Sequence, residues 1–229
     1  MAINDHPPGT QTDFDAVEEF LTETLVPEAS SRRAAIERAD DAGMPRIEVM
    51  PNHGKLLELL VQMTHARRVL EIGTLGGYST IWLASGIQPG GTVVSLELEA
   101  RHAEVAAESI TAAGLIDRAE IRVGPALDTL ADLRSSGAEP FDLIFIDADK
   151  ENIPAYIDAA VELARPGAVL ILDNAVWHGA ILNPDSADAA AIGVRRGLEA
   201  IGRHPRLTAT AIQTVGSKGW DGFAIALVT

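Results

Sequence analysis

The chain has 229 residues, 47% of them apolar, which is enough for one substantial hydrophobic core and makes a single domain the default. Its formal net charge of −15 argues against an extended nucleic-acid or anionic-membrane surface, because both require clustered positive charge. The absence of cysteine excludes a disulfide framework, a thiolate zinc site and a cysteine nucleophile.

The opening stretch is polar and carries Pro7, Pro8 and Gly9, so residues 1–12 read as a flexible arm. It has neither the basic start nor the apolar run of a secretory signal, and no later segment reaches the length of a membrane span, so a cytoplasmic protein is expected. From about Asp13 to Leu25, the residues Phe14, Val17, Phe20, Leu21 and Leu25 recur at helical spacing, and Pro27 ends the helix. A second helix, about Ser31 to Asp40, has a thin apolar face and reads as a peripheral cover. Asn52 stands where it could cap a third helix, which runs through Leu56, Leu57 and Leu60 to about Met63. Residues 13–65 are thus expected to form a helical cover on one domain spanning 13–229. His53 and His65 are isolated in sequence and suit surface or capping roles.

Val69 to Ile72 is a short run that is apolar except at Glu71, as expected of a strand covered on both faces. A turn with Gly73, Gly76 and Gly77 leads into a helix from Tyr78 to about Ser85. Strand and helix then alternate: strands at about Thr92 to Leu96, Ala119 to Val123, Phe141 to Ile146 and Ala168 to Leu172, with helices at about Arg101 to Ala113, Leu127 to Leu133 and Ile153 to Leu163. Trp177 to Asp188 reads as a loop and Ala189 to Ile201 as a helix. Two final strands, Leu207 to Thr214 and Gly222 to Val228, are joined by VGSKGWDG as a hairpin. This alternation predicts an α/β fold with a mainly parallel sheet, helices on both faces and at least one antiparallel strand at its end. Ligands should gather at the carboxyl ends of the strands, and Gly73, Glu97, Gly124, Asp147 and Asp173 all lie at or just past such ends.

The glycine turn opens the first free N–H groups of a helix to a polar or anionic ligand. A dinucleotide fingerprint would need a middle glycine where this chain has Leu75, and no P-loop lysine follows, so a nucleoside without pyrophosphate fits better. Glu97, about 24 residues past Gly73, can accept from a ribose diol. Glu71 can pair with an ammonium or order the turn from inside, and Ser79 can donate to a carboxylate or cap the helix. Asp147, Asp173 and Asn174 bring two carboxylates and an amide oxygen to neighbouring strand ends. Their mutual repulsion would be relieved by a divalent cation with oxygen ligands, Mg²⁺ first, with Ca²⁺ or Mn²⁺ also suitable; metal-free hydrogen bonding to substrate is the alternative. Asp149 can contact the cofactor or cap the next helix. Lys150 can act as a general base or as an electrostatic clamp, the former only if its pKa is lowered. Trp220 can line an acceptor site or fill the edge of the core.

Four separated motifs occur in one order: VLEIGTLGGYSTIWLA from Val69, GPAL from Gly124, LIFIDADKENIPAY from Leu143 and ILDNAVWHG from Ile171. From about Met50 to the C-terminus the chain resembles the cation-dependent S-adenosylmethionine O-methyltransferases of the catechol and caffeoyl-coenzyme-A type. That resemblance implies a class I methyltransferase Rossmann-like fold, a seven-stranded sheet with the last strand inserted antiparallel. It assigns Glu71, Gly73, Ser79, Glu97, Ala126, Asp147 and Asp149 to S-adenosylmethionine, with Met50 bordering the same pocket. It further assigns Asp147, Asp173 and Asn174 to the cation and Lys150 to the proton, and sets Trp177 beside the acceptor. It also implies a homodimer and a small hydroxylated aromatic or natural-product acceptor, with neither nucleic acid nor membrane as partner. Two other readings are an oxidoreductase using NAD or FAD on a similar sheet and a non-catalytic cofactor-binding regulatory module. The chain departs from the family pattern after Gly179 and at VGSKGWDGF, which leaves the acceptor open.

Overall fold

The computed structural model describes residues 9–26 and 30–229. Its centre is a seven-stranded sheet in the order β3-β2-β1-β4-β5-β7-β6. The strands are β1 (Arg68–Ile72), β2 (Thr92–Glu97), β3 (Ala119–Val123), β4 (Phe141–Ile146), β5 (Ala164–Asp173), β6 (Leu207–Gly216) and β7 (Gly219–Val228). The first five run parallel, and β7 lies antiparallel between β5 and β6. The mainly parallel sheet is the one expected from the alternation of strand and helix, and the antiparallel insertion of β7 is the class I methyltransferase arrangement that the family resemblance implies.

The central strands read as nearly continuous apolar runs because each face meets its own helical layer. Leu70, Ile72, Ile144, Ile146 and Leu170 point into one core with Leu130, Ile153, Ile157 and Val194, from α6 (Ala126–Ser135), α7 (Ile153–Leu163) and α8 (Ala189–Arg203). Val69, Val93, Leu143, Phe145 and Ile171 point into the other, with Leu57, Val61, Trp82 and Ile110 from α3 (Pro51–Met63), α4 (Tyr78–Gly86) and α5 (Ala100–Ala112). Adjacent residues on one strand therefore serve opposite cores, which is why none of them is polar except where a network needs it.

The N-terminal helices α1 (Gln11–Leu25) and α2 (Ser30–Asp41) differ in detail from the sequence reading. Residues 11 and 12 belong to α1 rather than to an arm, since Thr10 accepts from the Asp13 N–H at 3.3 Å while the Asp13 carboxylate accepts from the Thr10 N–H at 2.8 Å. This reciprocal cap fixes the helix start; residues 1–8 and the stop expected at Pro27 lie outside the described residues. Asn52 does not cap α3. Pro51 occupies its first turn, where a missing N–H costs nothing, and the Asn52 amide donates to Thr22 of α1 at 2.9 Å.

The final hairpin is tighter than expected. Strand pairing continues through Val215↔Trp220 and Gly216↔Gly219, leaving Ser217 and Lys218 as the turn, with Gly219 at φ +87°. Asp221, expected in the joint, is therefore a strand residue paired with Thr214. Short 3₁₀ turns cover Ile116–Arg118, Lys150–Asn152 and, with a kink at His178 and Gly179, Trp177–Leu182. No helix among the described residues is long and apolar enough to cross a membrane.

Candidate functional site

The carboxyl ends of β1, β2, β4 and β5 open onto a cleft of about 800 Å³. Gly73, Ser79, Glu97, Ala126, Asp147, Asp149, Lys150, Asn174 and Trp177 all line it. Beside it is a smaller, mainly apolar chamber of about 370 Å³, walled by Phe14, Val17 and Leu21 of α1 together with Met50, His53 and Phe223. Asp173 lines this chamber, whereas Asn174, Lys218 and Asp221 line both spaces. Met50 thus borders the chamber rather than the cleft, and the Ser217 hydroxyl lies 3.5 Å from its sulfur.

Glycine is required at position 73 for two reasons. Its φ is +101°, and a Cβ there would sit 2.0 Å from the carbonyl oxygen of Asp147. The ends of β1 and β4 can approach this closely only without a side chain. Gly77, at φ +83°, starts α4 and lets the turn lie against Ala106 of α5. The turn is also held from β2: Glu97 Oε2 accepts the N–H groups of Thr74 at 3.2 Å and Leu75 at 2.8 Å, and Oε1 accepts that of Glu99 at 3.0 Å. His102 Nδ1 stands 3.4 Å from the same carboxylate.

Glu71 lies beneath the turn, fully buried and outside the cleft lining. It accepts from the hydroxyls of Ser79 at 2.5 Å, Thr80 at 2.5 Å and Ser95, while Thr74 pairs with Ser95. In this structure Glu71 therefore orders the turn from inside, and Ser79 donates to it instead of capping α4. Burial pushes the Glu71 carboxyl up to about 7, against the opposing pull of the three hydroxyls. A carboxyl raised in the folded state binds more protons folded than unfolded, so its contribution to stability is full below its unfolded value of 4.5 and is lost as pH rises toward about 7. The loss is about 3 kcal/mol across that window. In urea titrations of the ligand-free protein, Glu71→Gln should remove this fall in stability between pH 5 and 7.5; an unchanged difference from wild type across that range would contradict it.

At the other strand ends, Lys150 Nζ donates to Asp147 Oδ1 at 2.9 Å and lies 6.0 Å from the centroid of the Trp177 ring. Trp177 is itself held, its Nε1 donating to Asp188 at 2.9 Å. Asp149 accepts from Asn152 at 2.6 Å and from the Tyr156 hydroxyl, whose pKa burial raises. Asp173 is raised well above the ordinary carboxylate range, first by burial and then by the negative charge of Asp147 and, more weakly, Asp221. His53 Nδ1 lies 3.7 Å from Asp173, with its ring stacked on Phe223; burial lowers its pKa. Burial likewise lowers the Lys218 ammonium, which donates to the Glu48 carbonyl.

The structure thus brings together Asp147, Lys150, Asp173, Asn174 and Trp177, as the strand-end rule anticipates. Trp220 is not brought there. It is 43% exposed on β7, donates to Gln213 at 2.8 Å, packs on Gly179 and lines neither space. Sequence reasoning missed Lys218 and Asp221, which reach the site from the hairpin. The only signal was the charged pair Lys218 and Asp221 within VGSKGWDG, between the last two strands.

Comparison with known proteins agrees with this geometry. The family model described as O-methyltransferase matches residues 29–225. A catechol O-methyltransferase of Mycobacterium tuberculosis is 56% identical over 212 residues, 93% of this chain and 94% of its own length. One from Niastella koreensis is 42% identical over 94% of this chain and 97% of its own. The crystal structure of the O-methyltransferase from Bacillus cereus in complex with SAH superposes with a TM-score of 0.94 at 48% identity, covering 96% of this chain and 100% of that one. These relationships set aside the dinucleotide oxidoreductase and the non-catalytic module. The chain belongs to the O-methyltransferase family and is an S-adenosylmethionine-dependent enzyme.

Proposed function

We propose that the enzyme methylates one hydroxyl of a vicinal diphenol, a catechol or a related hydroxylated aromatic, with a divalent cation held by Asp147, Asp173 and Asn174. The observation that carries this reading is the meeting of two carboxylates, an amide and the Lys150 ammonium where the cleft adjoins the apolar chamber. The names of the two catechol O-methyltransferases support the acceptor class, and the SAH complex of the Bacillus cereus protein supports the methyl donor.

The donor set fits a hard cation. The Asn174 amide nitrogen is taken up by Asp221 at 3.0 Å, so its remaining polar atom is oxygen. All three ligands are then oxygens, which suits Mg²⁺ and admits Ca²⁺ or Mn²⁺. Among the described residues no three His, Cys, Asp or Glu side chains form a metal cage. Two carboxylates and one amide oxygen would leave coordination positions for water and the acceptor.

When bound, the cation favours the oxyanion of the acceptor hydroxyl, and the sulfonium of S-adenosylmethionine supplies an electrophilic methyl group. The chain's own residues do the rest. Lys150 receives the hydroxyl proton or holds the developing oxyanion by its charge. Glu97 keeps lone pairs beyond those used on the turn and accepts from the ribose diol. Ala126 and Asp149 wall the adenosyl end, and Trp177 gives the acceptor ring a fixed apolar surface. Holding both reactants in one cleft converts an encounter into a positioned transfer. Met50 and the α1 side chains of the apolar chamber would contact the acceptor's substituents.

The same reading makes residues 13–229 one catalytic domain with a helical cover and the cytoplasm its location. It also makes the exposed Phe20 and Leu25 side chains of α1 part of a homodimer contact. The acceptor assignment is tested by supplying labelled S-adenosylmethionine and Mg²⁺ with catechol, a hydroxycinnamate thioester and a flavonoid bearing a single hydroxyl. Labelled methyl ether from the vicinal diphenols is expected. Transfer only to the isolated hydroxyl would overturn the assignment.

A further inference from the structure

We infer that Asp221 is a positioning residue that sets which atom of the Asn174 amide faces the cation. This rests on the cation reading above. Asp221 reaches the site from β7, 47 residues away in sequence from Asn174. Its two oxygens are used differently. Oδ1 accepts three backbone N–H groups, from Val176 at 3.2 Å, Trp177 at 3.0 Å and Gly222 at 2.9 Å, and so anchors the segment that follows β5. Oδ2 accepts from Asn174 Nδ2 at 3.0 Å.

An asparagine side chain has two nearly isosteric ends, one donating and one accepting, and a half-turn about its last bond exchanges them. Only the accepting end can bind a cation. An ionised carboxylate can only accept, so Asp221 takes the Nδ2 end and leaves Oδ1 as the free atom. The backbone of Asn174 is held as well, at φ +56° with its N–H donated to Asp173 Oδ1 at 2.8 Å. With the backbone held, the bond to Asp221 fixes which end of the amide is engaged. Partners of metal ligands that fix orientation in this way typically change metal affinity by about 10- to 100-fold when replaced.

The argument singles out Asp221→Asn. Its carbonyl oxygen can keep the three backbone N–H groups, but its amide would then face the Asn174 amide, donor against donor. Turning Asn174 over relieves that clash and presents N–H to the cation. Exchanging the two residues, Asn174→Asp with Asp221→Asn, reverses the hydrogen bond and again leaves an oxygen free.

The test is Mn²⁺ binding alone to the purified full-length protein, followed by the free-Mn²⁺ electron paramagnetic resonance signal, with thermal melts run in parallel. Asp221→Asn should weaken Mn²⁺ binding about 10-fold or more, and the exchanged pair should return to within about 3-fold of wild type. Asn174→Asp alone sets two carboxylates against each other and should melt below the exchanged pair, so the melts decide the matter even if Asp221→Asn fails to fold. Wild-type Mn²⁺ affinity in a folded Asp221→Asn, or an exchanged pair no better than the single variants, overturns the positioning role while leaving the cation reading intact. Failure of the wild type to bind millimolar Mn²⁺ overturns both.

Discussion

Stripping the enzyme of divalent cations is expected to reduce turnover by at least about 100-fold, with recovery on adding Mg²⁺. An acceptor phenol has an intrinsic pKa near 10, so at neutral pH little of it is oxyanion. Among the described residues the positive group hydrogen-bonded to the carboxylates at this strand end is Lys150, and it is already paired with Asp147 at 2.9 Å. Asp173 is disfavoured as an anion by burial and by its neighbours Asp147 and Asp221, so a cation there relieves a repulsion built into the fold. The same relief should raise the melting temperature in the absence of acceptor, since a ligand at 100 times its Kd stabilises the folded state by about 2.7 kcal/mol. Asp173→Asn should lose most of both effects. Full turnover after exhaustive chelation, with no effect of Mg²⁺ on the melt, would remove the cation from the reaction.

Replacing Lys150 by alanine should lower kcat by about 10²- to 10³-fold while leaving the affinity for S-adenosylmethionine within a few-fold. The Lys150 side chain is 11% exposed, and its ammonium faces Asp147 and the Trp177 ring, which on the reading proposed above is the acceptor end of the cleft and not the nucleoside end. Lys150→Arg separates its two possible roles. Arginine keeps the charge but stays protonated, so it can hold an oxyanion yet cannot accept a proton. Recovery with arginine, with a flat pH profile, identifies an electrostatic clamp; continued loss identifies a base. An alanine variant with wild-type kcat at all pH values would take Lys150 out of the chemistry.

Much of the fold was legible in the chain because buried parallel strands leave a local signature. Val69 to Ile72 and Phe141 to Ile146 must satisfy two cores at once, so apart from Glu71 and Asp142 they are apolar without alternation, and helices bracket them. The strand-end residues Glu97, Asp147 and Asp173 were legible for a related reason: a charged residue closing such a run stands at the edge of the core where ligands bind. The ends of elements were less legible. Asn52 looked like a cap by type, but Pro51 already suited the first turn, and a contact with Thr22, 30 residues earlier, engaged its amide. The hairpin was misjudged because Trp220 and Asp221 sit between glycines that resemble a long loop, whereas their partners Val215 and Thr214 extend the ladder to a two-residue turn.

By itself, the sequence determined the sheet, the glycine turn and the identity of the oxygen-bearing residues, since those depend on local periodicity and on the chemistry of single side chains. Only the tertiary structure decided how those atoms are used. Glu71 turned out to be an internal anchor shielded from the cleft, Trp220 stayed on the outer hairpin, and Asp221 and Lys218 entered the site. Hydrogen-bond partners for a buried carboxylate or an amide are chosen by proximity in space, and the fold supplies them from strands far apart in the chain.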